Sequence, residues 1–180
     1  HRATGATVSA RRGFLVERLG SLDAVFLAIE TATCPMHVGQ VSVFDGPAPT
    51  FAEVRDAVAE RVRRVPRCHQ RVRESWHGLT RPVWVDDASF DIEHHVRHAT
   101  LATPTRDALD RFAEQVMAVH LLRNRPLWEL WVIDDVGDGR WAVIGKVHHC
   151  MVDGIAGTDL LSVLLGEPHA DGPIAVEHAA

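Results

Sequence analysis

The stretch that decides the fold is residues 128–148, WELWVIDDVGDGRWAVIGKVH, in which turn-forming residues separate two apolar runs. The first run extends from Trp128 to Asp134 and the second from Arg140 to His148. Between them lies Val136-Gly137-Asp138-Gly139, and glycine and aspartate are the residues that tight hairpin turns favour. The pattern therefore predicts a β-hairpin whose second strand ends at a histidine.

This hairpin leads into two adjacent histidines, His148 and His149, which are followed by Asp153 and Gly154. Histidine has an ordinary pKa of about 6.5, which allows proton transfer near neutral pH. Neighbouring strand residues point to opposite faces, so only one of the two histidines is expected to face a cavity. That histidine is interpreted as a general base acting on a substrate hydroxyl or thiol. Asp153 could orient a histidine or pair with an arginine, and Gly154 permits a backbone turn.

Three other interpretations of the histidines stay open on residue types alone. Cys150 follows His149 directly and could form a Cys–His nucleophilic pair, although the sequence does not specify the loop geometry this needs. A shared metal ion is disfavoured by the opposed directions of the two side chains and by the lack of His-Glu-x-x-His or Cys-x-x-Cys spacing. Both histidines could equally be hydrogen-bonded core residues that end a strand.

The composition is that of one soluble globular domain, with 180 residues, 46% apolar and 24% charged. A net charge of -5 and a pI of about 6.2 argue against nucleic acid as the main partner. No apolar run approaches the ~20 residues of a membrane span. The three cysteines, an odd number, predict neither a disulfide framework nor a zinc site, and favour a reducing cytoplasm.

Helix and strand patterns follow one another in mixed order along the chain. Helices are predicted at residues 21–29 (with Ser21 as N-cap), 50–64 (opened by a Thr50–Glu53 capping box) and 103–122. The last of these is expected to bury Leu109, Phe112, Val116 and Val119. Short strands are predicted at 38–44, 67–74, 82–85 and 90–98, and a further short helix at 158–165. The mixture favours an α+β fold with a mixed, mostly antiparallel sheet.

Two clusters of basic side chains allow both a functional and a structural interpretation. Arginines concentrate in residues 61–73, at Arg61, Arg63, Arg64, Arg67, Arg71 and Arg73. They could bind the phosphates of anionic lipid head groups or of another ligand, but a solvated helix end and strand edge is favoured. The histidines of residues 94–98 suggest a metal site, but exposed strand or loop histidines are the favoured interpretation.

The sequence also carries a family resemblance. Residues 148–154 have the form His-His-x-x-x-Asp-Gly, which resembles the active-site motif of the coenzyme A-dependent acyltransferase superfamily. That superfamily includes chloramphenicol acetyltransferase-like enzymes and the condensation domains of peptide synthetases. Residues 19–27 (LGSLDAVFL), 35–39 (PMHVG) and 126–129 (PLWE) resemble the bacterial wax ester synthase/diacylglycerol acyltransferase family. The resemblance runs from about residue 19 to 165.

This resemblance implies a chloramphenicol acetyltransferase-like subdomain, an α/β two-layer sandwich, and an O-acyltransferase activity. A fatty acyl group would pass from acyl-CoA, the co-substrate, to diacylglycerol or a long-chain alcohol, giving triacylglycerol or a wax ester. His149 would be the general base that deprotonates the acceptor hydroxyl, with His148 in support. Asp153 would hold the loop and Gly154 would form its turn. No covalent acyl-enzyme, permanently bound cofactor or metal is expected.

The resemblance further implies a partner, because members of the family resemble two similar subdomains with the reaction centre in a tunnel between them. We expect residues 1–18 to be a tail, 19–166 the N-terminal acyltransferase subdomain, and 167–180 a loose tail or linker. The C-terminal subdomain, as part of a cleaved or truncated protein or as a separate chain, would complete the tunnel. An exposed apolar face is expected where it packs. Cytoplasmic localisation is expected, with peripheral contact to membranes or lipid inclusions as an open alternative.

Two alternative functions are retained. A condensation-type acyltransferase would take its acyl group from a carrier-protein thioester instead of coenzyme A. A non-catalytic fragment would keep the motif but need its partner half. The acyl donor separates the first alternative from the leading hypothesis, and replacement of His149 separates the second.

Overall fold

The computed structural model describes residues 17–74 and 80–152 of the chain, and these residues contain three α-helices and seven β-strands. The helices are α1 (Ser21–Ile29), α2 (Phe51–Val62) and α3 (Arg106–Ala118). The strands are β1 (Glu17–Arg18), β2 (His37–Asp45), β3 (Gln70–Arg73), β4 (Val83–Asp86), β5 (Val96–Ala99), β6 (Trp128–Gly137) and β7 (Arg140–His148). Short 3-10 helices lie at Pro66–His69, Ile92–His94 and His149–Met151.

The strands form two separate sheets. One has four strands in the order β2-β7-β6-β5, in which β5 runs parallel to β6 and the other neighbours are antiparallel. The other has three antiparallel strands in the order β1-β4-β3. The predicted α+β class and the mixed, mostly antiparallel sheet are confirmed. Glu17 and Arg18, the last residues of the expected tail 1–18, form β1.

The predicted hairpin is present as β6 and β7. Trp128 lies opposite Val147 and Gly137 opposite Arg140, with a register irregularity between Ile133 and Gly137. The turn contains three successive positive φ angles, 92° at Gly137, 56° at Asp138 and 67° at Gly139, which glycine and aspartate adopt at low cost. The first strand is three residues longer than predicted because the ladder continues to the Gly137–Arg140 pair, and the Asp135 carboxylate accepts a hydrogen bond from the Gly137 amide at 2.9 Å.

The four-stranded sheet is covered by helices on both faces, since successive side chains of β6 point in opposite directions. Leu130 and Val132 belong to one buried cluster with Val58 and Val62 of α2. Ile133 belongs to the other, with Leu109 and Val116 of α3. The central strands β6 and β7 are therefore largely buried on both sides, which holds the end of β7 in a fixed place.

The helix boundaries differ from prediction at four points. Gly20, not Ser21, is the N-cap of α1, and no side-chain hydrogen bond is made at that N-cap. The Thr50–Glu53 capping box of α2 is confirmed, but the helix ends at Val62. Thr105 caps α3, which ends at Ala118, so the expected burial of Val119 is wrong: it is 64% exposed.

Two predicted strands are shorter than expected. The segment predicted at 67–74 begins as a 3-10 helix, with Pro66 at its start, and only Gln70–Arg73 form a strand. In the segment predicted at 90–98, the Asp91 side chain accepts from the Glu93 amide and starts another 3-10 turn. The helix predicted at 158–165 and the linker at 167–180 lie outside the described residues.

Lys146 is the only lysine of the chain. It is fully buried in β7, in a stretch whose other residues predict an apolar strand. Its ammonium donates to the Val116 carbonyl at 2.7 Å and to the Val119 carbonyl, and lies 3.3 Å from Glu129 Oε1. Carbonyls in the last helical turn lack partners within the helix and carry partial negative charge. Lys146 therefore fixes the C-terminal end of α3 on the sheet.

Replacing Lys146 with Met should lower the free energy of unfolding by about 3 kcal/mol, because it leaves helix-end carbonyls and a mostly buried carboxylate without their cation. Urea denaturation of the chain measures this loss. Adding Glu129→Gln to Lys146→Met should recover part of it, since the unpaired charge is then removed. A loss below about 1 kcal/mol, in the range of an ordinary surface ion pair, would contradict this role.

Candidate active site

The two motif histidines lie where β7 passes into the 3-10 helix His149–Met151. His148 ends the strand, and its Nδ1 accepts a hydrogen bond from the Cys150 amide at 3.1 Å. The His149 amide donates to the Met36 carbonyl, just before β2, at 2.9 Å. The turn is thus held both by the His148 side chain and by the backbone just before β2.

His148 is a buried, neutral histidine. It is 1% exposed, and its Nε2 lies 3.5 Å from Glu30 Oε1. Because Nδ1 accepts from an amide, the proton of the neutral ring is assigned to Nε2, which faces the carboxylate. Burial lowers the pKa of His148 to about 4, although Glu30 opposes this shift. His148 is therefore uncharged at neutral pH and faces the protein interior.

Glu30, directly after α1, is the buried carboxylate of the site, with a side chain 6% exposed. Oε1 accepts from the Met36 amide and Oε2 from Arg123, both at 3.1 Å. Burial alone would raise the pKa of Glu30, but these two donors outweigh it and lower the pKa below its ordinary value. Arg123 also donates to the Leu27 carbonyl at 2.6 Å and to Glu74 at 2.8 Å.

His149 has different surroundings from His148. It is half-buried, and its ring stacks on Phe26 of α1 with centroids 4.7 Å apart and planes at 19°. Among the described residues, neither ring nitrogen has a hydrogen-bond partner in the protein. The ring is held by an apolar contact, which leaves its nitrogen atoms able to exchange a proton with a bound molecule.

The rest of the motif is not described. Asp153 and Gly154 lie outside the described residues, so their expected structural and turn-forming roles remain predictions.

Cys150 has the properties of an inert core thiol. It is 1% exposed, and burial, with a smaller contribution from Asp23, raises its pKa to about 12. A nucleophilic cysteine requires the opposite shift, because the thiolate is the reactive form. The Cys–His nucleophile left open by the sequence is therefore disfavoured. Cys34, Cys68 and Cys150 are all free thiols.

The histidines of residues 94–98 are dispersed. His95 is 3% exposed, stacks on Trp128 and has its Nδ1 2.8 Å from the Trp128 carbonyl, so its expected exposure is wrong. His98 pairs with Asp134 at 2.5 Å, and His94 is exposed. Within residues 17–74 and 80–152, no group of three or more His, Cys, Asp or Glu side chains is arranged to hold a metal ion.

The arginine cluster contains two kinds of side chain. Arg63 and Arg64 are exposed at the end of α2 and pair with Glu60. Arg67 is 10% exposed and lies 4.2 Å from the ring centre of Trp84. The favoured interpretation as a solvated helix end fits Arg63 and Arg64, whereas Arg67 is part of the packing.

An apolar stripe is exposed on α1 beside the candidate site. Leu22, Val25 and Ile29 are 56%, 49% and 48% exposed, and their spacing places them on one side of the helix. Val152, which follows the 3-10 helix in contact with α1, is also exposed. An exposed apolar face is expected where a C-terminal subdomain would pack, and the assignment of this stripe to that face stays a prediction. None of the described helices is long and apolar enough to cross a membrane.

Sequence reasoning did not identify Glu30, Arg123 or Phe26 as parts of the site. Phe26 lies in the LGSLDAVFL stretch, which was a usable signal, but Glu30 and Arg123 are 93 positions apart and lie outside the stretches quoted for the resemblance. Only the fold brings them together.

Comparison with known proteins identifies one enzyme family. A sequence profile of the wax ester synthase/diacylglycerol acyltransferase catalytic domain matches residues 19–179. The probable diacylglycerol O-acyltransferase tgs1 of Mycobacterium tuberculosis is 40% identical over 159 residues, covering 87% of this chain and 34% of that protein. The chain thus spans about a third of the length of this curated relative.

Solved structures show the same similarity. The wax ester synthase/diacylglycerol acyltransferase from Marinobacter aquaeolei VT8 has a TM-score of 0.66 and 34% identity, covering 76% of this chain and 34% of that one. The first condensation domain of the calcium-dependent antibiotic synthetase has a TM-score of 0.61 at 20% identity, covering 75% and 33%. The second similarity concerns the fold alone.

Alkylation should distinguish the cysteines. Iodoacetamide at pH 8 is expected to modify Cys34, which is exposed, while Cys68 and Cys150 remain unmodified until the chain is unfolded by urea. Peptide mass spectrometry measures the three sites in one sample, so Cys34 is the internal control. Modification of Cys150 in the folded chain at a rate near that of Cys34 would contradict its assignment as an inert thiol.

Acidification should destabilise the chain through His148. Its folded pKa lies below its ordinary value, so the unfolded chain binds the proton more readily and stability is lost as the pH falls from 6.5 to about 4. A difference of one pH unit between the two pKa values corresponds to about 1.4 kcal/mol.

Urea denaturation at pH 7 and pH 4.5 tests this. The unsubstituted chain should lose more stability between the two pH values than a His148→Gln variant, in which His37 and His95, whose pKa values burial also lowers, still titrate. Equal losses in the two proteins would show that His148 is not the group responsible.

Proposed function

The chain belongs to the wax ester synthase/diacylglycerol acyltransferase catalytic-domain family, and from this premise we propose that it carries the general base of an acyl-CoA-dependent O-acyltransferase. The proposed reaction moves a fatty acyl group from acyl-CoA to the hydroxyl of diacylglycerol or a long-chain alcohol. The products are triacylglycerol or a wax ester, and free coenzyme A.

The observation that supports this most directly is the environment of His149. Its ring is oriented by the stack on Phe26, while its nitrogen atoms have no protein partner among the described residues. In the proposed step His149 accepts the proton of the acceptor hydroxyl. The alkoxide oxygen then attacks the thioester carbonyl, the carbon–sulfur bond breaks, and the coenzyme A sulfur takes the proton back from His149. Direct transfer of this kind needs no acyl-enzyme, and the inert Cys150 thiol agrees with that.

The other motif residues have supporting roles in this proposal. His148 is buried and neutral, and its Nδ1 accepts the Cys150 amide. This hydrogen bond fixes the turn and therefore the backbone position of His149. Asp153 holds the following loop, and Gly154 allows it to turn.

We propose that turnover needs polypeptide beyond this chain, because the tgs1 relative is about three times as long as the part matched. That polypeptide, joined to the chain or separate, would pack on the exposed stripe of Leu22, Val25 and Ile29 and complete the sites for acyl-CoA and the acceptor. The chain together with it is called the complete enzyme below. A cytoplasmic location with peripheral contact to lipid is part of the same proposal.

Replacing His149 with Ala in the complete enzyme should reduce acyl transfer by about 10²–10⁴-fold, the usual contribution of a general base. Transfer from labelled acyl-CoA into wax ester or triacylglycerol measures it. His94→Ala, at an exposed histidine outside the site, is the matched control and should keep full activity.

The outcomes separate the alternatives. Acyl transfer from a carrier-protein thioester but not from acyl-CoA would favour a condensation-type enzyme. Unchanged activity of His149→Ala would favour a non-catalytic role for this chain. Full turnover by the 180 residues alone would contradict the need for further polypeptide.

A further inference from the structure

We propose that Glu30 and Arg123 are positioning residues for His149, an inference that rests on the proposed function of His149 as the base. Neither side chain contacts the His149 ring. Each is connected to it through contacts that fix the His149 backbone and the Phe26 ring on which His149 stacks.

The first connection runs through the backbone. One oxygen of Glu30, Oε1, lies 3.1 Å from the Met36 amide and 3.5 Å from His148 Nε2. The Met36 carbonyl in turn accepts the His149 amide at 2.9 Å. Glu30 therefore hydrogen-bonds Met36, the residue that accepts the His149 amide, and packs beside His148, the residue before His149.

The second connection runs through α1. Arg123 donates from one terminal nitrogen, Nη2, to the Leu27 carbonyl at 2.6 Å and to Glu30 at 3.1 Å. Its other terminal nitrogen reaches Glu74 at 2.8 Å. These bonds fix the last turn of α1, and Phe26, in that same turn, stacks on the His149 ring. A shift of the helix end would therefore move the surface on which His149 lies.

Charge makes the two residues interdependent. Glu30 is 6% exposed, and a carboxylate buried to that degree is stable only while it is paired and hydrogen-bonded. Without Arg123 the carboxylate loses its cation and has to take up a proton or turn toward water. Either change weakens its hydrogen bond to the Met36 amide and alters its packing beside His148. A catalytic group displaced by about 1 Å can lose about 10²-fold in rate.

Kinetics of the complete enzyme test the proposal with Glu30→Gln, Arg123→Gln and the double variant. Each single substitution should lower kcat about 10- to 100-fold while KM for acyl-CoA and acceptor changes less than about twofold. The double variant should be no slower than the worse single one, because both act on one network. Arg123→Lys should not restore kcat, since lysine lacks the fork that reaches three acceptors.

Two further variants serve as a matched control and as a separate test of the stack on Phe26. Arg55→Gln is the matched control: Arg55 also bridges two elements through ion pairs with Asp56 and Glu93, far along the chain from the motif, and should keep kcat. Phe26→Leu removes the stack without touching the charged network, and should also lower kcat at unchanged KM. If the Glu30 and Arg123 variants fail to fold, Phe26→Leu with full kcat would by itself overturn the proposal.

A readout independent of activity is the modification of His149 by diethyl pyrocarbonate, followed by peptide mass spectrometry. Loss of positioning should free the ring from Phe26 and speed its modification several-fold in Glu30→Gln and Arg123→Gln, but not in Arg55→Gln. If His149→Ala abolishes turnover while the Glu30 and Arg123 variants keep kcat and reactivity, the positioning proposal fails alone. If His149→Ala remains active, the proposed function fails.

Discussion

The pairing of β7 with strands on both sides is the constraint on which the rest of the structure depends. β7 is paired with β2 from His37 opposite His148 to Asp45 opposite Arg140, and with β6 along its other edge. A slip of one residue would exchange the two faces of the strand. Lys146 would then leave the end of α3, and His148 would leave Glu30. The same strand register therefore fixes the positions of both the core residues and the candidate site residues.

A second consequence of this pairing is that polar and charged side chains are buried around the site. Lys146 and His148, two residues apart on β7, are both essentially inaccessible to water, and each meets a carboxylate from another element. Glu30 receives its cation from Arg123, beyond α3. Such groups add little stability compared with apolar side chains, but each is costly to leave without its partner. The arrangement thus favours one geometry around His149 over any relaxed alternative.

The features that could be predicted from the sequence are those whose cause is local. The β6–β7 turn follows from Gly137-Asp138-Gly139, and the start of α2 from Thr50 and Glu53, because the interacting groups are close along the chain. The end of α3 is harder to predict because the carbonyls there are bound by Lys146 of β7, which is distant along the chain. Glu30 and Arg123 could not be paired for the same reason: no spacing rule relates residues 93 positions apart. The His149 motif was found because its seven residues are contiguous.

The burial of Lys146 also determines whether reagents and enzymes that modify lysine can react with this chain. Acetylation of lysine, attachment of ubiquitin to lysine and lysine-directed cross-linkers and dyes all require an accessible Nζ. The 180 residues contain one such group, and it is enclosed beneath the last turn of α3 with a pKa that burial lowers. In the folded state the lysine side chain is therefore closed to all of these reactions. Any label found on Lys146 reports that β7 or α3 has opened.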